Sequence, residues 1–275
     1  MTNAFERHGI HRLSASSLNM ARANTAAWLI SYGYDVKQTA NLPMMAGSVV
    51  EHAVEYGICN PDASIEACNE KASKDWGRRT ALGGFRDVDR KSKLDDIIGY
   101  GSARRSYPGM VENAVKELRQ YGVPTECQIK VETQLDGIPV PIIGYKDFSY
   151  DAHGLDVDLK TTSRMPTDMS ADHQLQGAIY WKASGNRTQR FCYSTKSEAK
   201  VLELEPHAAE AAIAEATQIA HILMRLLSVS NDIGEIVGLV IPDFSNFRWS
   251  PPTRAKAEEV WAAANQKQPP AMVSV

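Results

Sequence analysis

The sequence lacks the short motifs that most often assign a function class at first sight. Its 275 residues include four cysteines, Cys59, Cys68, Cys127 and Cys192, and no two of them lie within four residues of each other. A compact zinc or iron–sulfur site therefore has no Cys-x-x-Cys signature, and the thiols are expected to be reduced and mostly buried. The chain also has no Walker-type phosphate loop, which argues against ATP-driven motor activity, and no Gly-x-Ser-x-Gly elbow.

Long apolar runs and an excess of positive charge are missing as well. No segment has the length and hydrophobicity of a transmembrane helix, and the polar first residues, MTNAFERHGIHRLSASS, do not resemble a signal peptide. An intracellular location without membrane association is the expectation that follows. The net charge of −3 argues against a protein that binds nucleic acid by bulk electrostatics. It is compatible with an acidic metal pocket whose basic residues line a single groove.

The chain is 43% hydrophobic, which is enough for one large α/β domain, and neither a repeat nor a linker divides it. A single domain over 1–275 is therefore predicted. Its segments are N-terminal helices over 13–58, a mobile basic segment over 77–106, a core over 126–184 and C-terminal helices over 206–264. Within them, helices are predicted over 13–33, 46–58, 62–76 and 108–121. The basic segment is read either as a solvated surface or as a flap that contacts phosphate.

A change from helical to period-two hydrophobic spacing marks the core. ECQIKVETQL, VPIIGYKDFSYD and LDVDLKTT each alternate in the way of strands, and the turn signal DGIP separates the first two. These three strands are predicted to form an antiparallel meander. A helix over about 170–184 and two further strands, QRFCYSTK and AKVLELEP, follow. This order predicts an α/β fold in which helices flank a central mixed sheet.

The stretch GYKDFSYDAHGLDVDLKTT, residues 144–162, carries the most chemical information. Asp156, Asp158 and Lys160 alternate at period two, so on a strand all three side chains point to one face, and Asp147 lies on the strand before. Acids and a lysine that converge are poor core material, because burying unpaired charge is costly. They suit a divalent cation beside a basic group, which favours phosphodiester hydrolysis. The alternative is a surface strand with a salt-bridged aspartate and lysine.

Each of these residue types has a place in metal-assisted hydrolysis. Mg²⁺ prefers oxygen ligands and usually takes one or two carboxylates, here Asp147 and Asp158, and leaves positions for water and phosphate. Lys160, two residues after Asp158, is placed to hold or deprotonate the attacking water and to stabilise developing negative charge. Thr161 and Thr162 add hydroxyl groups that suit phosphate oxygens at the end of the strand.

The spacing of GYKD and DVDLKTT resembles the core of the PD-(D/E)XK nuclease superfamily, and within it RecB-type nucleases, CRISPR adaptation nucleases and lambda-type phage exonucleases. The resemblance implies a restriction-endonuclease-like core. It also implies a further metal ligand on a helix before the sheet, four residues after a glycine. In AGSVVEHAVE that position is Glu51, four after Gly47, as in lambda-type members. The adjacent His52 is the alternative, because RecB-type members have histidine there. On a helix the two side chains point about 100° apart, so only one can face a metal well.

The family also has a helix after the core strands with a glutamine and a tyrosine four residues apart. HQLQGAIYW provides Gln176 and Tyr180, which lie one helical turn apart and on one face. The resemblance implies that they contact the nucleic-acid backbone or steady the active site. The alternative is a helix that packs through Leu175, Ala178 and Ile179, with Tyr180 at its edge.

The resemblance as a whole implies a metal-dependent DNA nuclease, most specifically an exonuclease, that acts in DNA recombination, repair or phage replication. One or two Mg²⁺ or Mn²⁺ ions are expected, held by Glu51, Asp147, Asp158 and the backbone carbonyl of Leu159. No iron–sulfur cluster is expected, since no cysteine follows Cys192. The implied partners are DNA and a recombinase, annealing protein or helicase, in the cytoplasm of a bacterial or phage-infected cell. A DNA-binding module that does not cleave is the alternative on the same fold.

Overall fold

The computed structural model, which describes residues 2–38, 40–81 and 99–267, has the predicted α/β architecture. Five strands form one mixed sheet in the order β1-β2-β3-β4-β5, and helices flank it. The strands are β1 (Glu126–Thr133), β2 (Ile142–Tyr150), β3 (Leu155–Thr161), β4 (Thr188–Ser194) and β5 (Ala199–Glu203). β2 pairs antiparallel with β3, β3 parallel with β4, and β4 antiparallel with β5. The period-two patterns therefore located these strands.

Helices make up most of the rest of the described chain. They are α1 (Ala4–Arg7), α2 (Ala15–Ala23), α3 (Thr25–Trp28), α4 (Leu42–Cys59), α5 (Ile65–Ala81), α6 (Tyr100–Leu118), α7 (Ala171–Ala183), α8 (Pro206–Leu227), α9 (Ile233–Val237) and α10 (Pro251–Lys267). α7 forms the crossover that two neighbouring parallel strands, β3 and β4, require. Within the described ranges, no helix combines the length and the apolar character needed to cross a bilayer.

The chain divides into two compact units. The first comprises residues 1–39, 132–143 and 213–275, and the second comprises residues 40–131 and 144–212. Every residue of the predicted site belongs to the second unit. The prediction of one domain over 1–275 stays a prediction.

In the second unit, α4, α5 and α6 share a hydrophobic core with the sheet. α4 begins after Asn41, whose side chain caps the helix by accepting a backbone N–H of the first turn. Val49 and Ala53, one turn apart and fully buried, belong to the same cluster as Phe148 of β2. Burial of a side chain such as valine contributes about 1.5–3 kcal/mol. This layer therefore fixes the helix that carries Glu51 in the second unit.

In the first unit, residues before α2 run beside the segment that leads into β2. The Leu13 N–H donates to the Pro141 carbonyl over 2.9 Å, and the Ile143 N–H donates to the Leu13 carbonyl over 2.9 Å. His8 Nε2 lies 3.1 Å from the Leu227 carbonyl, which joins the end of α1 to the end of α8. These contacts satisfy backbone groups that secondary structure leaves open.

The prediction of one continuous helix over 13–33 is wrong, because the chain breaks there into three pieces. α2 ends at Ala23, and Asn24, with φ −160° and ψ 88°, leaves the helical region. The Asn24 side chain accepts the Ala27 N–H and so caps α3. A π-helical turn over Leu29–Gly33 follows. Asparagine side chains compete with the helix backbone for hydrogen bonds, which is the physical reason for the break.

The prediction of a mobile basic segment over 77–106 is wrong at both of its ends, where the chain is helical. α5 continues to Ala81, and α6 already begins at Tyr100, while residues 82–98 lie outside the described residues. α6 contains Pro108 and still forms, because its buried Tyr107 and Val111 pack in the core of the second unit. Tertiary packing of an apolar face contributes more to helix stability than residue propensity does.

Candidate active site

Asp147 and Asp158 lie beside each other on β2 and β3. The antiparallel register sets Phe148 opposite Val157, so the next pair along the two strands is Asp147 and Asp158. These two residues are only 9% and 5% exposed. Oδ2 of Asp147 accepts the backbone N–H of Leu159 over 2.8 Å, which holds this carboxylate against β3.

Asp158 has a partner on each carboxylate oxygen. Its Oδ1 forms an ion pair with the Lys160 ammonium group, and its Oδ2 accepts a hydrogen bond from Gln176 Nε2 over 2.9 Å. Lys160 follows two residues later on β3, so both side chains stand on one face of the strand. The ammonium group also lies 5.6 Å from the centre of the Phe191 ring, within cation–π range. The acid and the amine are therefore held together from several sides.

Gln128 connects Glu51 with Asp147. Oε1 of Glu51, on α4, accepts a hydrogen bond from Gln128 Nε2 over 2.5 Å, and the same nitrogen lies 3.4 Å from Oδ1 of Asp147. An amide nitrogen carries two hydrogens and can donate to both carboxylates. Gln128 lies on β1 with a φ of 52°, a left-handed conformation that is uncommon for residues other than glycine.

Burial and mutual repulsion dominate the electrostatics of the three carboxylates. Burial raises the pKa of Asp147 well above its usual range, and the negative charges of Asp158 and Glu51 raise it further. Burial also raises the pKa of Glu51, and the charge of Asp158 adds to that shift. Like charges in a buried site favour either protonation or a cation between them. The cluster therefore has the charge imbalance that a divalent cation relieves.

Lys160 carries its positive charge in this setting. Burial lowers the pKa of its ammonium group, but the charges of Asp158 and Asp147 outweigh burial, so the pKa lies above its ordinary value. An ammonium group donates hydrogen bonds and offsets negative charge, but it does not accept a proton. Of the two roles predicted for Lys160, this state favours holding a water molecule over deprotonating it.

Gln176 and Tyr180 connect α7 to the carboxylates. Gln176 Nε2 donates to Asp158 and also lies 2.9 Å from the Tyr180 hydroxyl, which in turn donates to the Tyr145 carbonyl over 2.7 Å. Tyr180 approaches β2 this closely because residue 144 is glycine, and a Cβ there would collide with the Tyr180 ring. The geometry favours a role in steadying Asp158, while a contact with nucleic acid stays a prediction.

Thr161 and Thr162 border a small cavity of about 220 Å³ at the end of β3. The cavity is lined by Lys160, Thr161, Thr162, Pro166, Ser170, His173 and Tyr193. Thr162 Oγ1 donates to the Arg164 carbonyl over 2.9 Å. Gly47 lies close to Thr161, since a Cβ at this position would be 3.3 Å from Thr161 Oγ1. Hydroxyl groups beside a lysine suit a phosphate group, and the predicted phosphate contacts of both threonines stay a prediction.

His52 belongs to a different network from Glu51. Its Nδ1 lies 3.2 Å from Oδ2 of Asp75, which also accepts hydrogen bonds from Arg78 over 2.7 Å and from Arg79 over 2.8 Å. The His52 imidazole is therefore part of a charged network on α5. Glu51 and His52 are the two alternatives that the sequence offers for the third metal ligand, and only Glu51 lies beside Asp147 and Asp158.

Asp156 is separate from this cluster although it shares the alternation of Asp158 and Lys160. Its carboxylate accepts hydrogen bonds from Lys146 over 2.8 Å, from Ser149 over 2.7 Å and from Gln189 over 2.8 Å. Asp156 is 1% exposed, so its charge is compensated inside the protein. The alternation predicted one converging cluster, and the structure divides it into two.

Gln128 and His173 are residues of this region that the sequence did not single out. In the strand pattern Gln128 reads as an ordinary solvent-facing residue, and residue type gives no signal for its left-handed backbone. The ring of His173 stacks on Phe191 with centroids 5.5 Å apart, and its Nδ1 lies 2.7 Å from the Tyr193 hydroxyl. Burial, followed by the charge of Lys160, lowers the pKa of His173. Its partners lie far away in the chain, so spacing could not reveal them.

The carboxylate oxygens of Glu51, Asp147 and Asp158 are the type of ligand that a hard divalent cation prefers. Oδ1 of Asp158 is buried and, apart from the Lys160 ion pair, accepts no hydrogen bond from the described part of the chain. Among residues 2–38, 40–81 and 99–267, no three His, Cys, Asp or Glu residues are arranged to hold an ion as they stand. The Gln128 amide, which contacts both Glu51 and Asp147, lies between two of the expected ligands. The metal set, including the carbonyl of Leu159, stays a prediction.

Comparisons with known proteins do not assign a family. No protein-family model matches the chain, and no curated protein matches it. One solved structure that does match is described as "Crystal structure of SSO0001" and is 14% identical in sequence. The match covers 72% of this chain and 83% of that chain, with a TM-score of 0.31. A TM-score this low supports no argument about fold or function.

Proposed function

We propose that this chain is a metal-dependent DNA nuclease with a restriction-endonuclease-like core. The observation that carries the proposal is the cluster of Glu51, Asp147 and Asp158, with the Lys160 ammonium group paired to Asp158. Buried carboxylates that repel each other destabilise a fold, so a purely structural role is a poor explanation for them. Hydrolysis of a phosphodiester uses such a cluster directly, because it needs a cation site and a fixed positive charge at one place.

The acidic residues form the proposed metal site. Asp147, Asp158 and Glu51, with the carbonyl of Leu159, would hold one or two Mg²⁺ or Mn²⁺ ions. Bound ions of this kind supply charge neutralisation at the phosphate and a water molecule of lowered pKa. The Gln128 amide has to leave its position between Glu51 and Asp147 before both carboxylates can share an ion.

The remaining residues orient the reacting groups. Lys160 holds the attacking water and offsets the negative charge that develops on the phosphate oxygens. Gln176 fixes the orientation of Asp158, and Tyr180 fixes Gln176. Thr161 and Thr162 lie next to Lys160, where they contact a neighbouring phosphate of the strand.

The finer assignment is an exonuclease of the RecB or lambda type that acts in recombination, repair or phage replication. It rests on the spacing of Gly47 with Glu51 and of Gln176 with Tyr180, which resembles that branch. Both pairs lie on helices whose side chains contact the cluster or its supports, which supports the same assignment. A recombinase, annealing protein or helicase is the corresponding class of partner.

Digestion of end-labelled DNA tests the proposal. With Mg²⁺ or Mn²⁺, the purified protein should degrade linear DNA and leave covalently closed circular DNA intact. Lys160→Ala should lower cleavage by about 10²–10³ and Asp158→Asn should abolish it, both without loss of the circular dichroism signal. Lys116→Ala, which changes a surface lysine paired with Glu112, serves as the matched control. Undiminished cutting by either site variant refutes the assignment. If the wild type binds DNA but does not cut it, the protein is a DNA-binding module instead.

A further inference from the structure

Two free cysteines from distant parts of the sequence touch each other in the second unit. Sγ of Cys59 lies 3.6 Å from Sγ of Cys127, although 68 positions separate them in the chain. Cys59 is exposed and Cys127 is partly buried, whereas Cys68 and Cys192 are fully buried. Sulfur atoms in a disulfide are roughly 2.05 Å apart, so a shift of about 1.5 Å would join the pair.

The pair lies where two elements of the candidate active site come together. Cys59 is the last residue of α4, the helix that carries Glu51, and Cys127 is the neighbour of Gln128 on β1. The side chains of Glu51 and Gln128 are themselves only 2.5 Å apart. A covalent bond between the two thiols would therefore fix the distance between the strand that carries the amide and the helix that carries the carboxylate.

Cys59 is the member of the pair that an oxidant reaches first. It is exposed and lines an open cavity of about 670 Å³, so peroxide can approach its sulfur, whereas Cys127 is only partly exposed. Burial, followed by the hydrogen bond to Cys59, raises the pKa of Cys127 to about 12, which keeps this second thiol protonated at neutral pH. Exposure thus makes Cys59 the thiol that is oxidised first, and Cys127, 3.6 Å away, is the thiol that can close the disulfide.

We propose that Cys59 and Cys127 form a reversible disulfide under peroxide, and that this bond weakens metal binding at the neighbouring site. The Cys59 thiol loses its proton as its sulfur attacks peroxide, the O–O bond breaks, and a sulfenic acid and one water are formed. The Cys127 thiol then attacks that sulfur, forms the S–S bond and releases a second water. Two thiols and one peroxide thus give one disulfide and two waters, with two electrons passing from sulfur to peroxide. A dithiol reductant reverses the change.

The effect on metal binding follows from the position of Gln128 and rests on the proposed function. Closing the S–S bond draws β1 toward α4, so it presses the Gln128 amide further against Glu51. In the proposed function that amide has to withdraw before Glu51 and Asp147 can share an ion. We therefore expect the oxidised protein to bind Mn²⁺ roughly tenfold more weakly, the size of change that groups orienting a ligand often produce.

Thiol counting after treatment with hydrogen peroxide tests the first half of the proposal. The full chain should lose two of its four thiols, yield one linked peptide pair that contains Cys59 and Cys127, and regain both thiols with dithiothreitol. Cys59→Ser should form no link, whereas Cys68→Ser and Cys192→Ser should form it as the wild type does. Four thiols that survive, or a link between any other two cysteines, overturn the proposal.

Titration of Mn²⁺ into the reduced and the oxidised protein tests the second half. Weaker binding after oxidation in the wild type, with no change in equally treated Cys59→Ser, is the expected result. Equal affinity of a fully linked protein refutes the coupling to the metal site. If the reduced protein neither binds Mn²⁺ nor cuts DNA, the proposed function fails and so does this coupling, while the linked peptide still reports on the cysteine pair alone.

Discussion

Gln128 donates a side-chain N–H to Oε1 of Glu51 over 2.5 Å from a backbone position with a φ of 52°. A left-handed backbone at a residue with a Cβ costs roughly 1–2 kcal/mol, and such conformations occur where the surroundings determine them strongly. Here the strained residue is also the one that separates two carboxylates. The unfavourable backbone conformation of Gln128 therefore lies next to the repelling carboxylates of Glu51 and Asp147.

The backbone of Gln128 makes a prediction about stability. Gln128→Ala should unfold more easily than Gln128→Gly, by about 1 kcal/mol, because both variants lose the amide but only alanine keeps a Cβ at positive φ. Urea unfolding of the two proteins in the presence of EDTA measures the difference. Lys130, two residues along on β1, is the control position: Lys130→Gly should be less stable than Lys130→Ala, because glycine weakens an ordinary strand position. Equal stability of the two Gln128 variants contradicts the left-handed backbone.

The sequence predicted the parts of this site that lie close together along the chain. Asp158 and Lys160 follow from alternation on a single strand, and Asp147 from the strand next to it. Glu51 needed the resemblance to a family, because nothing on α4 alone distinguishes it from a solvated glutamate. Gln128 could not be found, since its part in the site depends on a backbone conformation that residue type does not encode. Spacing fixes neighbours on one element, whereas contacts between elements depend on packing.

The choice between Glu51 and His52 makes a prediction about metal affinity. A ligand at 100 times its Kd stabilises a protein by about 2.7 kcal/mol, and each tenfold loss of affinity removes about 1.4 kcal/mol. Mn²⁺ should therefore raise the melting temperature of His52→Gln as it does for the wild type, and raise that of Glu51→Gln much less. In EDTA, Glu51→Gln should be more stable than the wild type, because it lacks one of three carboxylates that repel each other. The opposite ranking with Mn²⁺ would assign the ligand to His52.

Lys160 and Asp158 should have separable roles in cleavage. Lys160→Met removes the ammonium group but no metal ligand, so Mn²⁺ binding should persist or tighten while single-turnover cleavage falls by about 10²–10³. Asp158→Asn should lose both binding and cleavage. Calorimetric titration with Mn²⁺, run beside the cleavage assay, distinguishes the two variants. If Lys160→Met binds Mn²⁺ as weakly as Asp158→Asn does, the lysine acts only by holding Asp158 in place.

The buried pair of Lys146 and Asp156 stabilises the fold beside the site without belonging to it. Lys146 Nζ donates to Asp156 over 2.8 Å, and the side chains are 7% and 2% exposed. Burial raises the pKa of Asp156, but the hydrogen bonds from Lys146, Ser149 and Gln189 outweigh burial and lower it below its ordinary value. The charged form of Asp156 is therefore the form that the folded protein stabilises.

Asp156→Asn should cost about 3–5 kcal/mol of unfolding free energy near neutral pH, because it leaves the Lys146 charge buried without its partner. Since the folded-state pKa of Asp156 is lowered, its contribution is complete above the unfolded-state pKa of about 3.9 and is lost as the pH falls through the folded-state value. The difference between wild type and variant should thus shrink on acidification below about pH 4, which urea unfolding at several pH values measures. Adding Lys146→Met to the variant should restore part of the loss. A difference that is constant with pH would show that the charge of Asp156 is not its source.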